Sequence, residues 1–171
     1  YVNYVPLISD PKKFYILPDQ ETRRLNTKKS LNWDPGSITV LTVARNQWRK
    51  NLPEIIRAAS ILKDRRNEEN MPSFNFVFHC KPMEPFGWDL PALMHHYKVS
   101  GLIAISDRDI PEENLNELYN SVDLFLLPSK GEGFGVPLVE AALCGLPFLT
   151  TGNTASKDLA EELGWDDFCL E

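Results

Sequence analysis

The hydrophobic positions of the chain are concentrated in short runs of apolar and β-branched residues. Runs without polar alternation are expected for strands that are buried on both faces of a parallel sheet. Five such strands are predicted, at residues 37–43, 74–78, 102–105, 123–127 and 147–150.

Amphipathic helices are predicted between these strands. One begins near Asn51, with Pro53 in its first turn. Asp89 is the predicted N-cap of a second, and Gly145 is the predicted left-handed residue that ends a later one. Together with these two, at residues 88–97 and 136–143, helices are predicted at 111–120 and 156–163. This alternation predicts an α/β fold, a Rossmann-like parallel sheet with helices on both faces.

Composition and charge narrow the function classes. The formal net charge is −6, which argues against a nucleic-acid partner bound through a broad basic face. Cys80, Cys144 and Cys169 are widely spaced and odd in number, so neither a disulfide framework nor a zinc site is expected. No apolar run approaches the roughly 18 residues of a membrane span. We therefore expect a protein of the cytoplasm or of the cytosolic membrane surface.

Ligands of such sheets bind beyond the carboxyl ends of the strands, so the loops there are the candidate sites. The loop after the first strand, residues 44–50, has no glycine and carries Arg45, Arg49 and Lys50. The missing Gly-x-Gly pattern counts against a nicotinamide or flavin enzyme. Arginine and lysine suit phosphate oxygens. A solvated basic loop is the alternative interpretation.

The loop after the fourth strand has glycines at 131, 133 and 135 and runs directly into a helix. Glycines let backbone N–H groups approach a ligand, and a helix N-terminus favours an anion. Glu132 and Glu140 lie eight positions apart. Carboxylates accept hydrogen bonds from vicinal hydroxyls, so this pattern suits a phosphorylated sugar. The alternatives are a purely structural turn and a Glu140 that merely faces solvent.

Residues 132–147 resemble the Glu-x7-Glu motif of retaining glycosyltransferases with the GT-B fold, of the family 4 type (glycosyl transferases group 1). Arg45 and Lys50 resemble the pair that this family places on the donor diphosphate. The resemblance covers nearly the whole chain and implies the C-terminal, donor-binding half of a GT-B fold. Two departures are Ala44, where the family often has glycine, and His79-Cys80-Lys81-Pro82, where it commonly has a glycine-rich turn.

The resemblance implies retaining transfer of a hexose from a UDP-, GDP- or ADP-sugar to a sugar, lipid or protein acceptor. Residues 1–32 would be an interdomain linker packed on a nucleotide-sugar-binding domain at 33–171. No metal and no cofactor are implied. An N-terminal domain missing from this sequence would hold the acceptor, so the chain alone is expected to be inactive. The implied catalytic residues are Glu132, Arg45 and Lys50, and the implied donor-binding residues are Glu140, Gly133, Phe134, Gly135, Val136, Ser106 and Ile110.

Two other function classes stay open at this point. The chain could be a non-catalytic nucleotide-binding module, or a GT-B relative such as a sugar epimerase or a phosphorylase. An epimerase needs its own acid and base, and a phosphorylase needs a site for free phosphate or pyridoxal phosphate. No lysine of this sequence is placed convincingly for either.

Overall fold

The sheet of this computed structural model contains parallel strands only, within the described residues 9–162, 164 and 169–170. Strands β1 and β2 each have four consecutive buried residues, as expected for strands covered on both faces. The strand order is β3-β2-β1-β4-β5-β6. The strands are β1 (Ile38–Val43), β2 (Phe74–His79), β3 (Ile103–Ser106), β4 (Leu124–Leu127), β5 (Phe148–Thr151) and β6 (Cys169–Leu170).

The helices that connect the strands confirm the predicted Rossmann-like α/β fold. The Asp89 carboxylate accepts a hydrogen bond from Ala92 N at 2.9 Å, as predicted for an N-cap. Gly145 has φ 65° and ends its helix, also as predicted. No helix of the described residues is long and apolar enough to cross a membrane. The helices are α1 (Gln20–Ser30), α2 (Leu52–Glu69), α3 (Leu90–His96), α4 (Glu112–Asn120), α5 (Val136–Leu143) and α6 (Thr154–Glu162).

The strand order reverses direction between β1 and β4. From β1 the chain crosses to β2 on one side, and from β4 it crosses to β5 on the other. The loops that follow β1 and β4 therefore separate, and they leave a crevice at the carboxyl ends of these two strands. This crevice is where a sheet of this topology binds its ligands.

Helix α1 was not predicted, because its sequence is almost entirely polar. Contacts to the rest of the domain explain why it forms there. Lys28 is buried and its Nζ lies 2.9 Å from Asp123 Oδ2. The Gln20 amide donates to Asn120 Oδ1 at 2.7 Å and to the Cys144 carbonyl at 3.0 Å. The predicted linker thus contains a packed helix, while its boundary at residue 32 stays a prediction.

The predicted elements also need comment at the two ends of the chain. Strand β6 was not predicted, and it pairs with β5 through Thr150 and Thr151. The predicted last helix included Leu163, which lies outside the described residues, as do residues 1–8 of the predicted linker. The remaining strands and helices match their predicted positions to within a few residues at each end.

Candidate functional site

The loop after β4 is bound to the loop after β1 through the backbone of Arg49. The Arg49 carbonyl accepts hydrogen bonds from Lys130 N at 2.7 Å and from the Ser129 hydroxyl at 3.1 Å. Ser129 is fully buried. Because both loops flank the crevice between β1 and β4, these bonds fix the basic loop relative to the glycine-rich turn.

Glu132 lies between two cations of the basic loop. Its Oε1 is 2.5 Å from Lys50 Nζ, and its Oε2 is 3.3 Å from Arg49 Nη1. The same Arg49 nitrogen donates to the Gly131 carbonyl at 2.8 Å. The side chains of Lys50 and Glu132 are only 8% and 6% exposed. The structure therefore brings together Lys50 and Glu132, two of the three predicted catalytic residues, in a buried ion pair.

The Glu132 carboxyl is held in its ionised form. Burial raises its pKa, but hydrogen bonds from Lys50, Ser129 and Arg49 and the Lys50 charge outweigh burial and lower the pKa below the ordinary value. An ionised carboxylate only accepts hydrogen bonds. Glu132 can thus accept bonds from the hydroxyl groups of a ligand, and it is not a proton donor at neutral pH.

A cavity of about 530 Å³ opens beside this ion pair. Four cationic side chains and one carboxylate line it. Pro137, in the first turn of α5, also lines it. A helix N-terminus carries partial positive charge, so the cavity suits an anion such as a diphosphate. The lining residues are Val43, Ala44, Arg45, Gln47, Arg49, Lys50, His79, Cys80, Lys81, Glu84 and Pro137.

Arg45, the third predicted catalytic residue, lies on the wall of the same cavity. Its Nε is 2.8 Å from Glu84 Oε2, and its side chain is 66% exposed, whereas that of Glu84 is 11% exposed. Arg45 and Lys50 therefore share one cavity but have different carboxylate partners. The exposed guanidinium can reorient toward a ligand, while Lys50 is already fixed.

Asn46 joins the loop after β1 to the loop after β2, residues 80–88. Its fully buried amide donates to the Trp88 carbonyl at 2.8 Å and accepts from Trp88 N at 3.0 Å. Gly87 packs so closely that a Cβ there would lie 2.3 Å from the Asn46 carbonyl oxygen. The Asn46 amide also donates to the Pro82 carbonyl at 3.3 Å, so the residue next to Arg45 is bonded to both ends of this loop.

The glycine-rich turn enters α5 through Gly135, whose φ of 86° requires glycine. Its carbonyl accepts from Leu138 N at 2.8 Å in the first turn, which Val136 begins. Gly133 is exposed and has open space where a Cβ would lie. Phe134 instead faces α6, where it lines a small cavity with Leu159. The glycine-rich turn therefore has an open backbone at Gly133, while the Phe134 side chain lies against α6.

Glu140 lies in a different environment from Glu132. It is half-buried on α5, and its Oε2 accepts a 2.7 Å hydrogen bond from the hydroxyl of Tyr119, which is fully buried. The interpretation in which Glu140 merely faces solvent is therefore wrong. Neither Glu132 nor Glu140 lines the 530 Å³ cavity: Glu132 adjoins it through its ion pair with Lys50, whereas Glu140 is bonded to Tyr119.

Of the two residues predicted for the base, only Ser106 is linked to the cavity. Its hydroxyl lies 3.1 Å from His79 Nδ1, and His79 lines the cavity. Burial lowers the pKa of His79, despite the opposing charge of Asp109 and the Ser106 bond, so the ring is neutral near pH 7. Ile110 is half-buried just before α4.

Sequence reasoning counted Arg49 among the cations of its loop without a role of its own, and it gave no role to Asn46 or Tyr119. Arg49 stands among the basic residues of its loop, and nothing in the spacing distinguishes it from Lys50. The sequence signal for Asn46 is that an amide side chain stands between Arg45 and Arg49, just after a predicted strand. Tyr119 has the pattern of an ordinary core aromatic residue.

The sequence profile of the family described as "Glycosyl transferases group 1" matches residues 37–168. The chain belongs to this family. It is 31% identical over 128 residues to the serotype-specific mannosyltransferase WbdA of Escherichia coli, a match that covers 75% of this chain and 15% of that enzyme.

Solved structures of glycosyltransferases share the fold. The C-terminal domain of the group 1 family protein LpcC from Francisella tularensis has a TM-score of 0.65 at 18% identity, covering 91% of this chain and 86% of that one. Anabaena HepE in complex with UDP-glucose has a TM-score of 0.70 at 16% identity, covering 89% of this chain and 39% of that one. The fold is thus that of the C-terminal half of a GT-B glycosyltransferase. The chain spans well under half the length of the curated relatives it matches.

Proposed function

We propose that the chain is the donor domain of a retaining glycosyltransferase and that it binds a nucleoside-diphosphate hexose. The observation that carries this proposal is the buried Lys50–Glu132 pair at the edge of a cavity shared by Arg45, Lys50 and the first turn of α5. Such a site has cations for a diphosphate and, directly beside them, an ionised carboxylate for sugar hydroxyls. The similarity to a mannosyltransferase and to a protein crystallised with UDP-glucose supports the same ligand class.

The proposed chemistry is electrostatic. Negative charge develops on the diphosphate as its bond to the sugar breaks, and Arg45 and Lys50 stabilise that charge in the transition state. These cations and the α5 N-terminus supply the positive charge for which other transferases use a metal ion, so the proposed reaction is independent of metals and of cofactors. Lys50 has three N–H donors, so it can keep Glu132 and also bind a phosphate oxygen.

The other proposed ligand contacts come from the resemblance to the Glu-x7-Glu motif of the family. Glu132 would accept hydrogen bonds from the donor sugar next to the backbone of Gly133. Glu140 would accept hydrogen bonds from the ribose, and Ser106 and Ile110 would lie near the base. We propose that a further domain of a longer protein holds the acceptor. Without it the chain binds donor but transfers sugar slowly, because donor and acceptor are not positioned against each other.

Calorimetric titration with UDP, GDP and ADP and with their common sugar conjugates tests the donor site. We expect one nucleotide series to bind to the wild type. Lys50→Met and Arg45→Ala should each weaken that binding about tenfold or more, since each removes a charged hydrogen-bond donor worth roughly 1.5–3 kcal/mol. Lys63→Met is the matched control, because Lys63 lies on α2 and bonds the Lys98 carbonyl, and it should bind like the wild type.

Two results would contradict the proposal. If the wild type binds none of the diphosphates, the chain has no donor site. If it binds one of them and neither Arg45→Ala nor Lys50→Met weakens binding relative to Lys63→Met, the ligand lies elsewhere. Retention is tested separately with the longer protein, by NMR determination of the anomeric configuration of the transferred sugar. An inverted product would refute the retaining assignment and leave the donor site intact.

A further inference from the structure

Glu140 accepts a hydrogen bond from a fully buried side chain, that of Tyr119. The Tyr119 hydroxyl on α4 donates to Glu140 Oε2 on α5 at 2.7 Å. Tyr119 has no exposed surface, whereas Glu140 is half-buried. A glutamate side chain has three rotatable bonds, so a bond from a buried neighbour restricts where its carboxylate can lie.

The Tyr119 ring is itself fixed by other aromatic rings. Phe14 meets it edge-on, with centroids 6.0 Å apart and planes at 76°, and Phe125 of β4 lies 5.7 Å away. Phe14 and Phe125 are both buried. The Tyr119 ring cannot shift without repacking this cluster, so its hydroxyl has a fixed position from which it donates to the Glu140 carboxylate.

The segment that carries Phe14 is bound to the same helix as Tyr119. Tyr15 N donates to Asn116 Oδ1 at 3.1 Å, and Leu17 N donates to Asn120 Oδ1 at 2.8 Å. Both asparagines are buried on α4. The linker segment, α4 and Tyr119 therefore form one packed unit against which Glu140 rests.

The hydroxyl of Tyr119 stays protonated over the accessible pH range. Burial raises its pKa well above the ordinary value, and the negative charge of Glu140 raises it further. A protonated phenol beside an ionised carboxylate donates a charge-assisted hydrogen bond, which is shorter and stronger than a neutral one. The contact is thus suited to holding a carboxylate in place.

We propose that Tyr119 is a positioning residue for nucleotide recognition: it holds the Glu140 carboxylate in the orientation that accepts hydrogen bonds from the ribose hydroxyls. This inference rests on the proposed function, since it assumes that a nucleoside diphosphate binds. It adds a residue that does not touch the ligand and acts through Glu140. A merely structural Tyr119 would instead affect every ligand of the domain alike.

The test compares ribose with a sugar that lacks its hydroxyls. The wild type, Tyr119→Phe and the control Tyr97→Phe, at the end of α3, are titrated with the nucleoside diphosphate that the wild type binds and with its 2′,3′-dideoxy analogue. We expect Tyr119→Phe to weaken binding of the ribose form about tenfold, the effect of one charged hydrogen bond, and to change binding of the dideoxy form less than twofold. Tyr97→Phe should change neither by more than twofold.

The outcomes separate the two proposals. A wild type that binds no diphosphate refutes the proposed function. A wild type that binds the ribose and dideoxy forms equally, or a Tyr119→Phe variant that weakens both forms equally or neither, leaves the donor site intact and overturns the role of Tyr119.

A second measurement covers the case in which Tyr119→Phe does not fold. The wild-type chain is prepared with 3-fluorotyrosine, and the ¹⁹F resonance of Tyr119 is assigned by replacing the other tyrosines with phenylalanine in turn. The ribose form should shift this resonance and the dideoxy form should not. Equal shifts with both nucleotides, or none with either, overturn the proposal.

Discussion

Replacing Lys50 by methionine tests the central ion pair of the site. Lys50 and Glu132 are both buried, with their charged atoms 2.5 Å apart. Methionine keeps most of the volume of lysine and removes only the ammonium group. Glu132 would then keep a single cation, Arg49, at 3.3 Å from its other oxygen.

The expected loss follows from leaving a carboxylate buried with an incomplete set of partners. Removal of one member of a buried pair costs about 3–5 kcal/mol. Since the Arg49 side chain is 41% exposed and remains in contact, we expect the lower end, a decrease of about 3 kcal/mol in the free energy of unfolding at pH 7. The double variant Lys50→Met/Glu132→Gln removes both charges, and it should recover about 2 kcal/mol of that loss.

The pH dependence of the unfolding free energy is a second, independent test of the Lys50–Glu132 ion pair. In the wild type the pKa of Glu132 is lowered by its partners, so its contribution to stability is present above the ordinary glutamate pKa of 4.5. It is lost as the pH falls through the lowered pKa. The difference in unfolding free energy between wild type and Lys50→Met should therefore be largest near neutral pH and shrink as Glu132 becomes protonated.

Urea unfolding followed by circular dichroism, from about pH 7 down to about pH 3, measures both effects. Lys63→Met serves as the control for loss of a lysine on α2 and should stay within about 0.5 kcal/mol of the wild type. The reasoning is refuted if Lys50→Met costs less than about 1 kcal/mol at pH 7 or if its cost does not change on acidification. It is also refuted if the costs of the two single changes simply add in the double variant.

Three further predictions concern backbone and charge. Gly87→Ala should lower the unfolding free energy by about 1–3 kcal/mol, because its Cβ would lie 2.3 Å from the Asn46 carbonyl, whereas Gly101→Ala has open space and should stay within about 0.5 kcal/mol; equal urea midpoints would contradict this. Gly135→Ala should cost about 1–2 kcal/mol in the same assay because its φ is 86°, and a neutral result would mean that the turn rearranges. His79 has a lowered pKa, so its stability contribution is present above pH 6.5 and is lost as the pH falls through the lowered value; the urea midpoint of His79→Gln should therefore vary less than that of the wild type between about pH 7.5 and 5.5, and equal slopes would refute this.

The sheet could be predicted because its signal is local. An apolar run such as residues 37–43 carries its own evidence of burial, and Gly145 marks the end of a helix by its chemistry alone. Helix α1 could not be predicted in this way. Its formation depends on Lys28 meeting Asp123 and on Gln20 meeting Asn120, contacts that exist only after the domain has packed.

In the candidate site, too, some features could be predicted from the local sequence and others depend on how the domain packs. Cations and glycines at strand ends predicted that Lys50 and Glu132 would lie together, since the topology brings those loops to one edge. The hydrogen bond between Tyr119 and Glu140 could not be predicted, because it depends on the packing of α5 against α4.

The attachment of Asn46 to the segment 80–88 has a consequence for protein engineering. A chimera that exchanges residues 80–88 for the corresponding loop of a relative would remove the Trp88 carbonyl and N–H to which the Asn46 amide is bonded. Residue 46 and the segment must therefore be transplanted together. Because Asn46 adjoins Arg45 in the chain, any graft that ignores this dependence alters the mouth of the cavity as well as the grafted loop.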